Sequence, residues 1–115
     1  MSALLQQQLL FAKLLPRLLD RALFLGFGVT LGEVYRPDVT VELYALAGKG
    51  SRSSVHPLRL AVDLNLFRNG VWLTRTEEHR PLGEYWEQVN PLCRWGGWFP
   101  RPDGNHYSLL WEGRA

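Results

Sequence analysis

The stretch Leu60-Ala61-Val62-Asp63-Leu64-Asn65-Leu66-Phe67 alternates strictly, and Asn69-Gly70 follows it at once. Alternation with period two places Leu60, Val62, Leu64 and Leu66 on a core face and Asp63 and Asn65 on the opposite one. Asn-Gly is the favoured two-residue hairpin turn, so the chain should return antiparallel as Val71-Trp72-Leu73-Thr74. A half-buried antiparallel pair needs cover on one side only, and it leaves Asp63 displayed on the other.

The cover is written at the N-terminus. Leu4, Phe11, Leu15, Leu18, Ala22 and Leu25 recur at intervals of seven, four, three, four and three, which is one face of an amphipathic helix. Pro16, lacking an N–H, should kink or divide that helix. The segment is apolar, yet no basic residues precede the first leucines, three glutamines interrupt the run, and Lys13, Arg17, Asp20 and Arg21 fall inside any membrane-length window. A signal peptide and a membrane span are therefore not expected, and synthesis in a cytoplasm is. Gly26 and Gly28 end the helix, and Phe27 to Tyr35 reads as a short strand leading into Tyr35-Arg36-Pro37.

Val39 to Ala47 fits either a helix or a strand, and residues 48–54 form a polar loop that either shapes a groove or is a solvated connector. Pro81 should open a second helix through Tyr85, Trp86 and Val89 to Pro91. Trp95 to Asn105 is turn-rich, and His106 to Trp111 closes with a strand. Together these give one α+β domain over residues 1–115: a small, mainly antiparallel sheet with an N-terminal helix and a second helix packed on it.

Charge gives a weak basic bias, consistent with mild attraction to anionic cell-wall polymers. Thirteen Lys and Arg against eleven Asp and Glu leave a net +2, and the arginines scatter from Arg17 to Arg114, so nucleic acid is not an expected partner. Cys93 is the one cysteine, which excludes an internal disulfide; it reads as a small buried hydrophobe and not as a nucleophile.

His56, Asp63, Asp103 and His106 supply two imidazoles and two carboxylates, the parts of a catalytic zinc site with three ligands and one open position. Seven residues would put His56 and Asp63 on opposite strand faces, so His56 must lie in the loop before the strand and bend back. Pro57 favours that by keeping His56 out of helix. A tight turn over Asp103-Gly104-Asn105-His106 would bring Asp103 and His106 to one side, with Asp103 as general base and acid. Taken singly each residue also has a structural reading: a solvated His, an edge carboxylate, an Asp capping its own turn.

Ser54-x-His56 with Leu60 to Leu64, then His79-Arg80-Pro81-Leu82-Gly83-Glu84-Tyr85-Trp86, Trp95-Gly96-Gly97 and Asp103-Gly104-Asn105-His106-Tyr107 resemble the zinc D-alanyl-D-alanine carboxypeptidase family, and within it the single-domain phage L-alanyl-D-glutamate peptidases. The resemblance implies His56, Asp63 and His106 as zinc ligands on the polar sheet face, Asp103 as the catalytic carboxylate, and Arg36 steadying the oxyanion and contacting substrate. Ser54 would hydrogen-bond the ligand loop or the bound peptide. The implied substrate is the peptidoglycan stem peptide, cleaved by a monomeric endolysin that reaches the wall after release from the cytoplasm. The alternatives are a D-alanyl-D-alanine carboxypeptidase or dipeptidase, and a non-catalytic wall-binding or virion module. Arg59 stands where the family pattern has Gly, which puts any glycine-only conformation there under strain. His79 reads as structural or as supporting the ligands; the tryptophans read as core, with Trp95 and Trp98 as optional cleft walls.

Overall fold

The computed structural model describes residues 1–51 and 53–115; Arg52, in the expected polar loop, lies outside them. Helix α1 spans Ala3–Phe24. Ser2 caps it by accepting from the Leu5 N–H (3.1 Å). Of the two outcomes expected at Pro16, a kink or a division, the division does not occur: the helix is continuous. Pro16 and Ala12, whose carbonyl Pro16 cannot engage, are both exposed, so water can take the freed acceptor. The inward stripe is Phe11, Leu14, Leu18 and Ala22, with Leu4, Leu15 and Leu25 packed at its margin.

Strand β1 covers only Gly28–Leu31, shorter than the Phe27–Tyr35 run expected. It pairs antiparallel with β2 (Ala61–Arg68), Leu31 facing Leu64. Beyond Leu31 the pairing is irregular. The Gly32 N–H donates to the Asp63 carbonyl (2.7 Å), while the Asp63 N–H donates to the Glu33 carbonyl (2.8 Å), so two residues oppose one in a bulge that ends the strand. Tyr35 and Arg36 consequently sit in the connection after β1, not at a strand end. The ambiguous segment is a helix, α2 (Asp38–Leu46).

The hairpin forms as expected. Asn69 (φ 53°) and Gly70 (φ 75°) both take the left-handed backbone that such a turn needs, returning the chain as β3 (Val71–Leu73). Helix α3 runs Thr76–Val89, starting five residues before the expected Pro81. Glu78 turns back to accept the Arg75 N–H (3.0 Å), stapling that earlier start, and Pro81 is tolerated within the second turn. Strand β4 (Cys93–Trp95) and β5 (His106–Leu109) complete the sheet.

The sheet order is β1-β2-β5-β4, all antiparallel, and β3 also pairs with β2. Since β1 covers one edge of β2, β3 and β5 share the other: β3 takes residues 66–68 and β5 takes 61–63. Val62, Leu64 and Leu66, with Tyr107 and Leu109, are fully buried beneath α1 and α3, as the alternation requires. Trp86 anchors α3 there: its ring meets Phe11 edge-on at 6.1 Å and its Nε1–H donates to the Ser108 carbonyl (3.1 Å). Cys93 lies in this core, its thiol pushed up to about 12 by burial, as its reading as an inert hydrophobe requires. Among the described residues no helix is long and apolar enough to cross a membrane.

Candidate active site

The register of β2 with β5 sets Asp63 directly opposite His106. Directly opposed residues project from the same face with Cβ atoms about 5 Å apart, so this pair meets on the side away from α1 and α3. Asp63 Oδ1 is 3.6 Å from His106 Nδ1. His56 reaches the same point from a short 3₁₀ turn (His56–Leu58) just before β2, with its Nε2 3.2 Å from the same Asp63 oxygen. One ligand atom from each of the three residues lies within 4.8 Å of the others, the spacing a shared metal ion asks for.

The His56 ring is aimed by its far side. Its Nδ1 lies 3.0 Å from the Val34 carbonyl, which can only accept, so Nδ1 carries the proton and Nε2 faces Asp63. Ser54 fixes the backbone: its Oγ accepts the His56 N–H (3.2 Å). Arg59 ends the 3₁₀ turn in the left-handed conformation (φ 57°, ψ 38°), donating its N–H to the His56 carbonyl (3.1 Å) and redirecting the chain into β2. That is the glycine-like geometry the sequence put in doubt, carried by an arginine whose guanidinium stacks 4.0 Å over the Tyr35 ring.

His106 is held by ring packing, with His56 at 5.1 Å and Phe99 at 5.4 Å between centroids. The turn before it is strapped to the start of the 96–105 loop. Asp103 donates its N–H to the Gly96 carbonyl (2.9 Å) and accepts the His106 N–H (3.1 Å), while Trp95 Nε1–H donates to the Gly104 carbonyl (2.7 Å). A Cβ on Gly96 would fall 2.2 Å from the Asp103 carbonyl oxygen, so only glycine permits this approach.

The electrostatics tie the four residues together. Burial alone would raise the Asp63 carboxyl, but the two imidazoles outweigh it and hold the group at about 2. Burial works against a charge on His56, yet Asp63 and the Val34 carbonyl prevail and its pKa is raised. Asp103 is exposed as a residue, but the protein around its carboxyl raises its pKa; Asp63 adds to this, and His106, His56 and Arg36 oppose it.

Asp63 Oδ1 and His106 Nε2 are buried with no hydrogen-bond partner among the described residues. The short His56–Asp63 approach is therefore a convergence of ligand atoms and not an aligned hydrogen bond, and buried lone pairs left open in this way suit a cation. Two nitrogens and a carboxylate are also the donor set a zinc ion takes, so the residues fit the metal.

Arg36 is nearly buried, its N–H donating to the His56 carbonyl (3.4 Å) and its charge felt at both His56 and Asp103. Glu33 engages its Nε and the Tyr44 ring lies beneath the guanidinium at 5.0 Å. Sequence reading missed these supports of Arg36 and the Val34 carbonyl that orients His56. The Glu-x-x-Arg spacing was a signal for Glu33; the Val34 carbonyl has no side-chain signal at all. His79 is buried away from the ligands, with Nδ1 2.8 Å from the Tyr107 hydroxyl. Trp95 is buried core, whereas Trp98 is exposed beside it.

Comparison with known proteins places the chain in a family. The family model described as D-alanyl-D-alanine carboxypeptidase matches residues 47–109, over half of the chain, a range that includes His56, Asp63, Asp103 and His106. The chain belongs to the D-alanyl-D-alanine carboxypeptidase family. It is thus a peptidase by family, and the His56, Asp63 and His106 cluster is that family member's candidate metal site. Among solved structures the carboxypeptidase-family chain resembles the Serratia marcescens L-Ala D-Glu endopeptidase ChiX (TM-score 0.68, 22% identity, 84% of this chain and 77% of that chain covered), a likeness of fold. Among curated proteins, none matches it in sequence.

Proposed function

We propose that this protein is a zinc-dependent peptidoglycan peptidase that cleaves the L-alanyl-D-glutamate bond of the stem peptide, working as a phage endolysin. The observation that carries the reading is the convergence of His56, Asp63 and His106 within 4.8 Å with Asp103 electrostatically coupled to them. Zinc held by those three side chains would supply a Lewis acid and water acidified to near neutrality.

The chain's own residues do the rest. Asp103 takes the proton from the attacking water and returns it to the departing amine, a task helped by a carboxyl already raised above its ordinary value. Arg36 holds a permanent charge near the developing oxyanion, and burial beside Glu33 and Tyr44 keeps it from wandering. Ser54 and Val34 keep His56 in its ligating orientation.

Metal analysis paired with wall clearing tests this. The parent should carry about one zinc and clear walls. His106→Ala should lose both the metal and at least about 10³-fold in rate, and Asp103→Asn should keep the metal and lose about as much rate. An Asp103→Asn variant that clears walls as fast as the parent would remove Asp103 from the mechanism, and a parent without zinc that binds walls and clears none would be a binding module. The family description favours a second reading, removal of terminal D-Ala. Mass spectrometry of digested muropeptides separates the two: a new D-Glu amine is expected, and release of free D-Ala alone would select the carboxypeptidase.

A further inference from the structure

A cleft of about 340 Å³ opens beside the ligand cluster, where β3 and β5 part along the shared edge of β2. Asn65 of β2, Trp72 of β3, Thr74 and Arg75 just after β3, and Asp103 and Asn105 just before β5 line it. Its volume falls in the range of about 300–1,000 Å³ typical of small-molecule sites. The proposed proton-transfer step uses Asp103 alone of these residues.

We propose that this cleft binds the N-acetylated amino-sugar ring from which the stem peptide hangs; the bond preference below rests on the peptidase reading above. Trp72 is 59% exposed although it stands on a strand, presenting a flat π surface to solvent. One face of a pyranose ring is a sheet of C–H bonds whose positive hydrogens suit such a surface. The ring's hydroxyls and acetamido group need donors and acceptors around that platform, and two carboxamides and a threonine hydroxyl provide them.

An extended peptide fits less well. Strand addition needs open backbone groups, and on this edge the Leu64 N–H already donates to the Asn105 carbonyl (2.9 Å).

Position then selects the bond. A chain spans at most about 3.5 Å per residue. The L-alanyl-D-glutamate bond lies one residue from the sugar's lactyl arm and a terminal D-alanyl-D-alanine bond four, so an extended substrate with its sugar in a cleft bordered by Asp103 presents the former to the ligand cluster. Arg36 and Arg59 lie on the β1 side, suited to the one free carboxylate of the D-glutamyl residue, and the sugar lies on the β5 side.

The test has two arms. The first titrates the peptide-free N-acetylglucosaminyl-N-acetylmuramic acid disaccharide into the ¹⁵N-labelled full chain. The Trp72 indole resonance, identified by its loss in Trp72→Phe, should move and saturate, and Trp72→Ala or Thr74→Val should weaken binding by about tenfold. An unmoved indole through the millimolar range overturns the proposal. The second arm compares kcat/KM for a sugar-bearing muropeptide and the same peptide without sugar. The parent should prefer the former by about tenfold and Trp72→Ala should bring that ratio towards one; equal rates in the parent overturn the proposal. Saccharide binding with hydrolysis of neither substrate would keep the saccharide site and overturn the peptidase reading instead.

Discussion

Arg59 combines a cost and a return at one position. An L-residue in the left-handed region costs about 1–2 kcal/mol, and an exposed cation–π contact such as that with Tyr35 restores about 0.5–1 kcal/mol. Arg59→Ala keeps the strained backbone and loses the stack, so it should be destabilised by about 0.5–1 kcal/mol. Arg59→Gly loses the stack too but relieves the strain, less the extra freedom glycine gains when unfolded. Urea denaturation should therefore rank glycine above alanine by about 1 kcal/mol; the reverse order would mean the left-handed backbone is not strained here. The residue types of the site were legible because histidine and carboxylate chemistry is written in the side chains. The Val34 carbonyl that aims His56 was not, since any residue carries one.

At the level of elements, the 96–105 loop is placed by a backbone approach that tolerates no side chain at Gly96. Gly96→Ala should push the strap away from Asp103, costing about 1–3 kcal/mol as overpacking does and lowering activity further than that loss alone would. Thermal unfolding and a rate assay on the same sample check both parts. Leu18, fully buried on α1, should cost about 2–5 kcal/mol when cut to alanine, with the remaining folded fraction still active. Strand β2, its hairpin and the inward stripe of α1 could be read from periodicity, which reports burial. The end of β1 was misread, because the bulge at Gly32 and Glu33 is made by pairing with Asp63, and the slip it leaves in the sequence, Val34 apolar where Glu33 was due, is a single residue. The start of α3 was misplaced for a related reason: Pro81 is a common first residue, but the Glu78 side chain returning to Arg75 N–H had already nucleated the helix.

For the molecule as a whole, buried ionisable groups set the pH range of stability. Burial pushes His79 down to about 4, with Glu78 and the Leu73 carbonyl only partly opposing, against 6.5 when free. Between those values the unfolded chain binds more protons, so stability should fall as pH drops from 6.5 to 4, by up to about 3 kcal/mol. His79→Gln should flatten that window in urea titrations. Asp63 acts lower, its contribution present above 3.8 and lost as pH falls to about 2. His56, raised, contributes below 6.5 and loses its contribution as pH rises through its folded value.

The pairing of Asp63 with His106 has one more consequence. The two lie 43 positions apart, on strands that meet only when the sheet closes. During synthesis the earlier half of the centre leaves the ribosome well before the later half exists. Hydrolytic competence is thus deferred until the chain through His106 has emerged, and a ribosome stalled before that residue would leave the cluster without its second imidazole.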